Sequence, residues 1–414
     1  MQQPFRYQDG VLYCEGVELG PLAAREGTPL YVYSAGAIRE RYLEYAGALS
    51  GAPHKICYAV KANGNLSVLR LLAGLGAGFD IVSGGELYRV LQAGGDPSSA
   101  VFSGVGKTRE EIEFALQQGI HSFNCESESE LALISSLAVR MGKRASIAVR
   151  VNPDVDAATH PYISTGLREH KFGIDIAEAE AVYERARALP GLVLEGVSCH
   201  IGSQLLDLAP LEEAASKLLA LAERLRARGH AIRYLDVGGG LGVPYKPGDA
   251  RPDAGPFLQR IGKLASGHGL TLMLEPGRSI VAEAGVLLTR VLYRKRNGGK
   301  EFVIVDASMT ELIRPALYKA HHEIVPLREN RLPPVVADVV GPVCETGDFL
   351  ALGRNVANLL PGDFAAILTA GAYGMVASSN YNARPRPAEV MVEGAAYRVA
   401  RKRETWSDLI RGEE

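Results

Sequence analysis

Long apolar runs are missing from this 414-residue sequence: none approaches the roughly 20 residues that a helix needs to cross a bilayer. Nor does the N-terminus carry the charged-then-apolar pattern of a secretory leader, so a cytoplasmic protein is expected. Cysteine is scarce, and the 5 present (Cys14, Cys57, Cys125, Cys199, Cys344) are odd in number, scattered and never spaced C-x-x-C. That pattern speaks against a disulfide framework and against a zinc site. An excess of one charge is lacking too, since 45 Lys+Arg face 47 Asp+Glu with no basic block or acidic tail. Attraction to nucleic acid or to a membrane surface is therefore not indicated, and small-molecule chemistry is the class that fits. No internal repeat, low-complexity segment or long linker stands out.

What the sequence does contain is a rhythm. From about Ser34 to residue 280, strand-length apolar runs alternate with amphipathic helical patterns; the runs fall at 56–60, 78–82, 100–103, 121–125, 145–151, 194–200, 234–237 and 270–274. About eight strands is the number a closed parallel (β/α)8 barrel requires, and residues 31–279 are assigned to one. A doubly wound open sheet would show the same alternation, so the placement of chemistry has to arbitrate. Thr108 with Glu111 and Ser127 with Glu130 fit the capping box, and Gly76, Gly94, Gly119, Gly142, Gly191, Gly229 and Gly267 follow helical segments where a left-handed residue is wanted.

At both ends the rhythm gives way to strands. The first thirty or so residues read as short strands with a turn at Glu15-Gly16. Beyond residue 280, runs at 286–292 and 302–305 joined through Asn297-Gly298-Gly299 read as a hairpin, followed by further strands at 335–340, 349–352, 364–368 and 390–399. Residues 1–30 and 280–414 are assigned together to a second, mainly antiparallel β domain that is discontinuous in sequence.

In a barrel the active site gathers at the carboxyl ends of the strands. Lys61, in I-C-Y-A-V-K-A-N, ends the first; Asp80 lies near the end of the second; C-H-I-G-S-Q ends the sixth with His200 and Ser203; D-V-G-G-G-L-G ends the seventh with Gly238, Gly239 and Gly240; L-E-P-G-R-S-I ends the eighth with Glu275, Pro276, Gly277 and Arg278. Singly, each has a plainer reading. A strand-end lysine can reach solvent, a histidine can be satisfied in a core, a glycine run can be a tight turn, and Glu275 can pair with Arg278 for structure. S-G-V-G-K-T at 103–108 is no P-loop, because Val101 stands where its first glycine belongs. His321-His322-Glu323 lacks the H-E-x-x-H spacing of a metal site.

Jointly, these residues meet the needs of pyridoxal 5'-phosphate. Unobstructed glycine amides and the Ser203 hydroxyl suit a phosphate, Glu275 can keep a pyridine nitrogen protonated, His200 can stack on a ring, and Lys61 can hold an aldehyde covalently.

Y-A-V-K-A-N, C-H-I-G-S-Q, G-G-G-L-G, E-P-G-R-S, G-P-V-C-E-T-G-D and G-A-Y-G-M, in this order across nearly the whole chain, resemble the alanine-racemase-type pyridoxal phosphate decarboxylases. The resemblance implies a barrel plus a β domain, and a homodimer with shared active sites. It makes Lys61 the residue bound to the cofactor, with Asp80, His200, Ser203, Gly239, Gly240, Glu275, Pro276, Gly277, Arg278 and Tyr373 around it. Arg278, Arg314, Tyr318 and Tyr373 would hold the substrate, and Cys344 and Glu345 would come from the partner subunit, Cys344 as the acid. The members matched best through L-I-R-P-A-L-Y act on meso-diaminopimelate, releasing CO2 and leaving L-lysine. A decarboxylase of ornithine, lysine, arginine or carboxynorspermidine is the alternative. A relative that binds the cofactor without turnover is another.

Overall fold

A computed structural model describes residues 3–155 and 171–414. The chain divides into two compact units, one formed by residues 1–40, 244–250 and 280–414, the other by 41–243 and 251–279.

The second of these is a closed barrel. Its eight parallel staves, in ring order, are His54–Ala59, Gly78–Ile81, Ala100–Phe102, Ser122–Cys125, Ala145–Asn152, Leu192–Ser198, Tyr234–Asp236 and Thr271–Leu274. Leu272–Leu274 pair with His54–Ile56 and so close the ring. A two-residue strand, Ile174–Asp175, adds to Val151 and Asn152 outside it. The staves read as unbroken apolar runs because they are covered on both faces: Gly78–Ile81, Ala100–Phe102 and Tyr234–Asp236 are buried at every position. Inside the barrel Cys57, Val101, Ala148, Tyr234 and Met273 pack together. Gly196 is what admits the Tyr234 ring, since a Cβ there would lie 2.1 Å from it.

Helix ends follow the sequence with two exceptions. Thr108 and Glu111 form the full reciprocal box. Ser127 accepts from the Glu130 amide, but the Glu130 carboxylate turns instead to the Glu126 amide and Lys107, so only half of that box exists. Gly267 is the last helical residue rather than the left-handed one, a place taken by Gly269 at φ 63°.

In the other unit, strands run in the order Phe349–Val356, Val335–Val340, Lys300–Val305, Gly285–Asn297, Leu30–Ser34, Ala388–Glu393 and Ala396–Arg401. Most pairings are antiparallel; Lys300–Val305 with Val335–Val340, and Leu30–Ser34 with Ala388–Glu393, are parallel. Gly298 and Gly299, both at positive φ, make the expected hairpin turn. A small three-stranded sheet holds Phe5–Gln8, Val11–Cys14 and Val17–Glu18. The expectation of strands alone in the first thirty residues is corrected here, because Leu19–Glu26 is a helix that buries Leu19, Leu22 and Ala23. Pro21 hid it, yet proline is tolerated in a first helical turn, where its missing N–H has no partner to lose.

Candidate active site

At or near its carboxyl end, each barrel stave gives way to a residue that departs from the apolar pattern. The chain leaves His54–Ala59 through a short 3-10 turn, Val60–Ala62, which presents Lys61. Its Nζ donates to Asp80 Oδ2 at 2.5 Å; Asp80 is fully buried, whereas the Lys61 side chain keeps about a third of its exposure. Asn63 accepts from the Asn65 amide and Asn65 from the Ser67 amide, which fixes the exit from this stave.

On the stave adjoining that of Lys61, Glu275 follows the eighth strand, and its backbone N–H donates to Gly238 O at 2.8 Å. Its Oε1 accepts from Ser103 Oγ and Asn124 Nδ2, each at 3.1 Å. The same Asn124 amide donates to Asp236 Oδ2 at 2.9 Å, and Asp236 Oδ1 accepts from the Gly238 N–H at 2.9 Å. Burial pushes the Glu275 carboxyl well above the usual range, and the neighbouring Asp236 and Asp80 push it further. Burial also raises Asp236.

The glycine run is a cradle of backbone. Gly238 and Gly240 sit at φ 68° and 97°. A Cβ on Gly239 would lie 2.3 Å from Glu275 O, and one on Gly240 2.7 Å from Gly202 O. Gly277 presses against Ala59 and Ala62, so the loop after Glu275 lies against the Lys61 turn. The Gly239 N–H donates to His200 Nδ1 at 3.3 Å. Burial holds His200 well below its usual pKa, helped by the charges of Arg150 and Lys61, so its imidazole is neutral. Arg278 Nη2 donates to Ser203 Oγ at 2.9 Å.

Residues 35–282 match the family model described as pyridoxal-dependent decarboxylase, pyridoxal binding domain. A curated diaminopimelate decarboxylase of Pseudomonas aeruginosa is 56% identical over 409 residues, which is 99% of this chain and 98% of the relative. The chain belongs to the diaminopimelate decarboxylase family of pyridoxal-dependent decarboxylases. A relative in Aquifex aeolicus with the same description is 50% identical over 98% of this chain and 96% of its own length. A crystal structure of diaminopimelate decarboxylase from Helicobacter pylori complexed with L-lysine superposes with a TM-score of 0.91 at 46% identity, covering 95% of this chain and 98% of that one.

In this member of the decarboxylase family, the barrel unit brings together Lys61, Asp80, His200, Ser203, Gly239, Gly240, Glu275, Pro276, Gly277 and Arg278. Their donor set suits the cofactor. A lysine stands beside a buried carboxylate, a glycine loop admits no side chain, and an enclosed carboxyl that resists ionisation would be relieved by a cationic ring nitrogen. The remaining predicted residues belong to the other unit. Arg314 is buried and its Nη1 donates to the Tyr245 hydroxyl at 2.6 Å, with the guanidinium 4.6 Å from the ring centre. Tyr318 ends the short helix Arg314–Tyr318. Tyr373 takes φ 55° before Gly374, a residue for which any Cβ would meet the Tyr31 hydroxyl at 2.5 Å. Cys344 is exposed, its N–H donating to Asn382 Oδ1, and Glu345 accepts from the Tyr381 hydroxyl. His322 Nδ1 meets Leu368 O, and Glu323 takes His321 and Arg354.

Sequence reasoning missed Ser103, Asn124 and Asp236. The available signal was one polar residue at the carboxyl end of an otherwise apolar stave, in V-F-S, F-N-C and Y-L-D. It also missed Lys107, whose enclosed Nζ donates to Gly104 O, Asn124 O and Glu130 Oε1 and so fixes the ends of the third and fourth staves.

Proposed function

We propose that this protein converts meso-2,6-diaminopimelate into L-lysine and CO2 with pyridoxal 5'-phosphate as cofactor. The reading rests above all on Lys61 and Glu275 standing at the carboxyl end of one closed barrel in a chain of this family. The homologous Helicobacter pylori structure with L-lysine, the product of that reaction, supports it.

When bound, pyridoxal phosphate supplies a sink for the electron pair left behind as CO2 departs. The chain's part is anchoring, orientation and proton handling. Lys61 would hold the cofactor through Nζ, and the Gly240 amide with Ser203 and Arg278 would take its phosphate, in a glycine loop whose Gly238 and Gly239 amides are engaged by Asp236 and His200. Neutral His200 would pack on the face of the ring without adding a charge. Glu275 would serve the ring nitrogen, where an arginine would suit racemisation better. Arg314 and Arg278 hold substrate carboxylate, since a guanidinium fork matches two carboxylate oxygens, with Tyr318 and Tyr373 beside the substrate. We assign Cys344 and Glu345 to the site of a second copy in a cytoplasmic homodimer, Cys344 giving the proton to carbon and Glu345 taking the distal ammonium.

The test is CO2 release by purified protein from meso-diaminopimelate, ornithine, lysine, arginine and carboxynorspermidine, alongside Lys61→Ala. Release from meso-diaminopimelate alone, lost by a factor of about a hundred or more in the variant, is expected. Equal release from both proteins removes the role given to Lys61, and a preference for another substrate replaces the proposed one. A bound-cofactor absorbance band without turnover of any substrate would leave a binding protein.

A further inference from the structure

Glu275 does not meet the barrel interior alone. Its carboxyl and that of Asp236 share one donor, the Asn124 amide, and two carboxyls this close and this buried hold a proton between them rather than ionise together. Asn124 Nδ2 bridges the two acids at 3.1 and 2.9 Å, while Ser103 Oγ donates to the same Glu275 oxygen and the Gly238 N–H to the other Asp236 oxygen. Glu275 is 8% and Asp236 1% exposed, so water cannot stabilise two adjacent anions. Asp236 opens the D-V-G-G-G-L-G stretch, but the sequence assigns it no role toward the cofactor.

We propose that Asp236 and Glu275 form one acid dyad that holds a single proton for the cofactor's ring nitrogen, with Asp236 as the positioning residue that keeps this proton available. The transfer is simple to balance. The Glu275 O–H bond breaks, its electron pair stays on the carboxylate, and an N–H bond forms on the ring. A neutral ring and a neutral acid become a cation beside an anion, and Asp236 keeps its own negative charge close enough to favour the cation. The other groups facing the dyad oppose one another or hold still. Asp80 repels a second anion, Lys61 attracts one, and the Cys57 and Cys199 thiols and the Tyr234 hydroxyl are pushed up by burial and stay neutral. A dyad of this kind makes Glu275 a proton carrier rather than a fixed anion.

This inference rests on the proposed pyridoxal phosphate chemistry, and the experiment separates the two. Holoenzyme carrying cofactor labelled with 15N in the ring is titrated by NMR in the wild type, Asp236→Asn and Glu275→Gln. The expected result is a ring nitrogen protonated in the wild type, deprotonated in Glu275→Gln, and losing its proton about one pH unit or more lower in Asp236→Asn. With it, kcat should fall about tenfold or more while KM moves little, a split that a merely structural role would not give. If Glu275→Gln leaves the nitrogen signal unchanged, the cofactor reading itself fails. If Glu275→Gln moves it and Asp236→Asn titrates like the wild type, only the dyad is overturned. A measurement on cofactor-free protein covers the case in which Asp236→Asn does not fold. The wild type at neutral pH should show the infrared stretch of a protonated buried carboxyl that Glu275→Gln lacks, and its absence overturns the dyad.

Discussion

Lys61 Nζ and Asp80 Oδ2 lie 2.5 Å apart at the junction of the first two barrel staves, and Asp80 has no exposed surface. A buried carboxylate tolerates such a place only with a cation against it, and among the described residues Asp80 Oδ1 accepts no hydrogen bond. Lys61→Met should therefore destabilise the cofactor-free protein by about 3–5 kcal/mol, apart from its effect on catalysis. Lys61→Met with Asp80→Asn should recover most of that loss, because no charge is left stranded. Urea denaturation of the four proteins in a double-mutant cycle reads the coupling directly. Additive effects would show that the pair does not hold the two residues together.

Gly239 and Gly47 are both glycines, with opposite expected responses to a methyl group. At Gly239 a Cβ would lie 2.3 Å from the Glu275 carbonyl, so backbone must move; Gly239→Ala should cost about 1–3 kcal/mol. Cofactor affinity should fall about tenfold with it, as the cradle opens. Gly47 stands in the helix Ala35–Leu49 with nothing within 4 Å, so Gly47→Ala should gain about 0.5–1 kcal/mol. Thermal denaturation and a titration with pyridoxal phosphate check both.

Tyr245 holds Arg314 in two ways, through its hydroxyl at 2.6 Å and through its ring face at 4.6 Å, and the ring is itself wedged edge-on against His322. Tyr245→Phe removes only the hydrogen bond, about 0.5–1.5 kcal/mol, and should raise KM by up to about tenfold with kcat nearly kept. Tyr245→Ala removes the ring as well and should raise KM further. Steady-state kinetics on meso-diaminopimelate distinguish this from an unaltered KM, which would detach Arg314 from substrate binding.

Two buried groups should nearly cancel in the pH dependence of stability. Burial raises Glu86 from 4.5 to about 7, against the Val82 amide and Lys61, which pull it down. Burial lowers His121 from 6.5 to about 4, with Lys55 adding to the shift and Glu195 opposing it. The folded protein binds the Glu86 proton more tightly, so that contribution is complete below pH 4.5 and is lost as pH rises through about 7. The folded protein resists protonating His121, so that contribution is complete above pH 6.5 and is lost as pH falls through about 4. Each is worth about 3 kcal/mol across its window. Glu86→Gln should therefore unmask a stability that climbs with pH between these limits, and His121→Phe one that declines. Urea denaturation at stepped pH reads both slopes.

The barrel was legible because its periodicity is local. Each stave is a short run enclosed on both faces, the crossover helices Leu66–Gly74, Gly84–Gln92, Arg109–Gln118 and Glu128–Arg140 have side-chain caps, and the hairpin at Gly298-Gly299 is dictated by two residues that take positive φ without strain. Lys61, His200, the glycine loop and Glu275 could be placed in sequence because each interrupts or ends such a run. Leu19–Glu26 escaped because Gly20 and Pro21 argue locally against helix, while the burial of Leu19 and Leu22 that favours it depends on distant partners.

Sequence by itself determined the architecture of alternating strands and helices, the end of the barrel where chemistry collects, and the residue types suited to an aldehyde and a phosphate. Only tertiary structure decided which acids meet. Ser103, Asn124, Asp236 and Glu275 lie on four different staves, up to 172 positions apart, and a hydrogen bond between them exists only after the ring of strands has closed. Periodicity carries the direction of a side chain along its own strand, whereas the partner it finds across the barrel is set by register between strands distant in the chain.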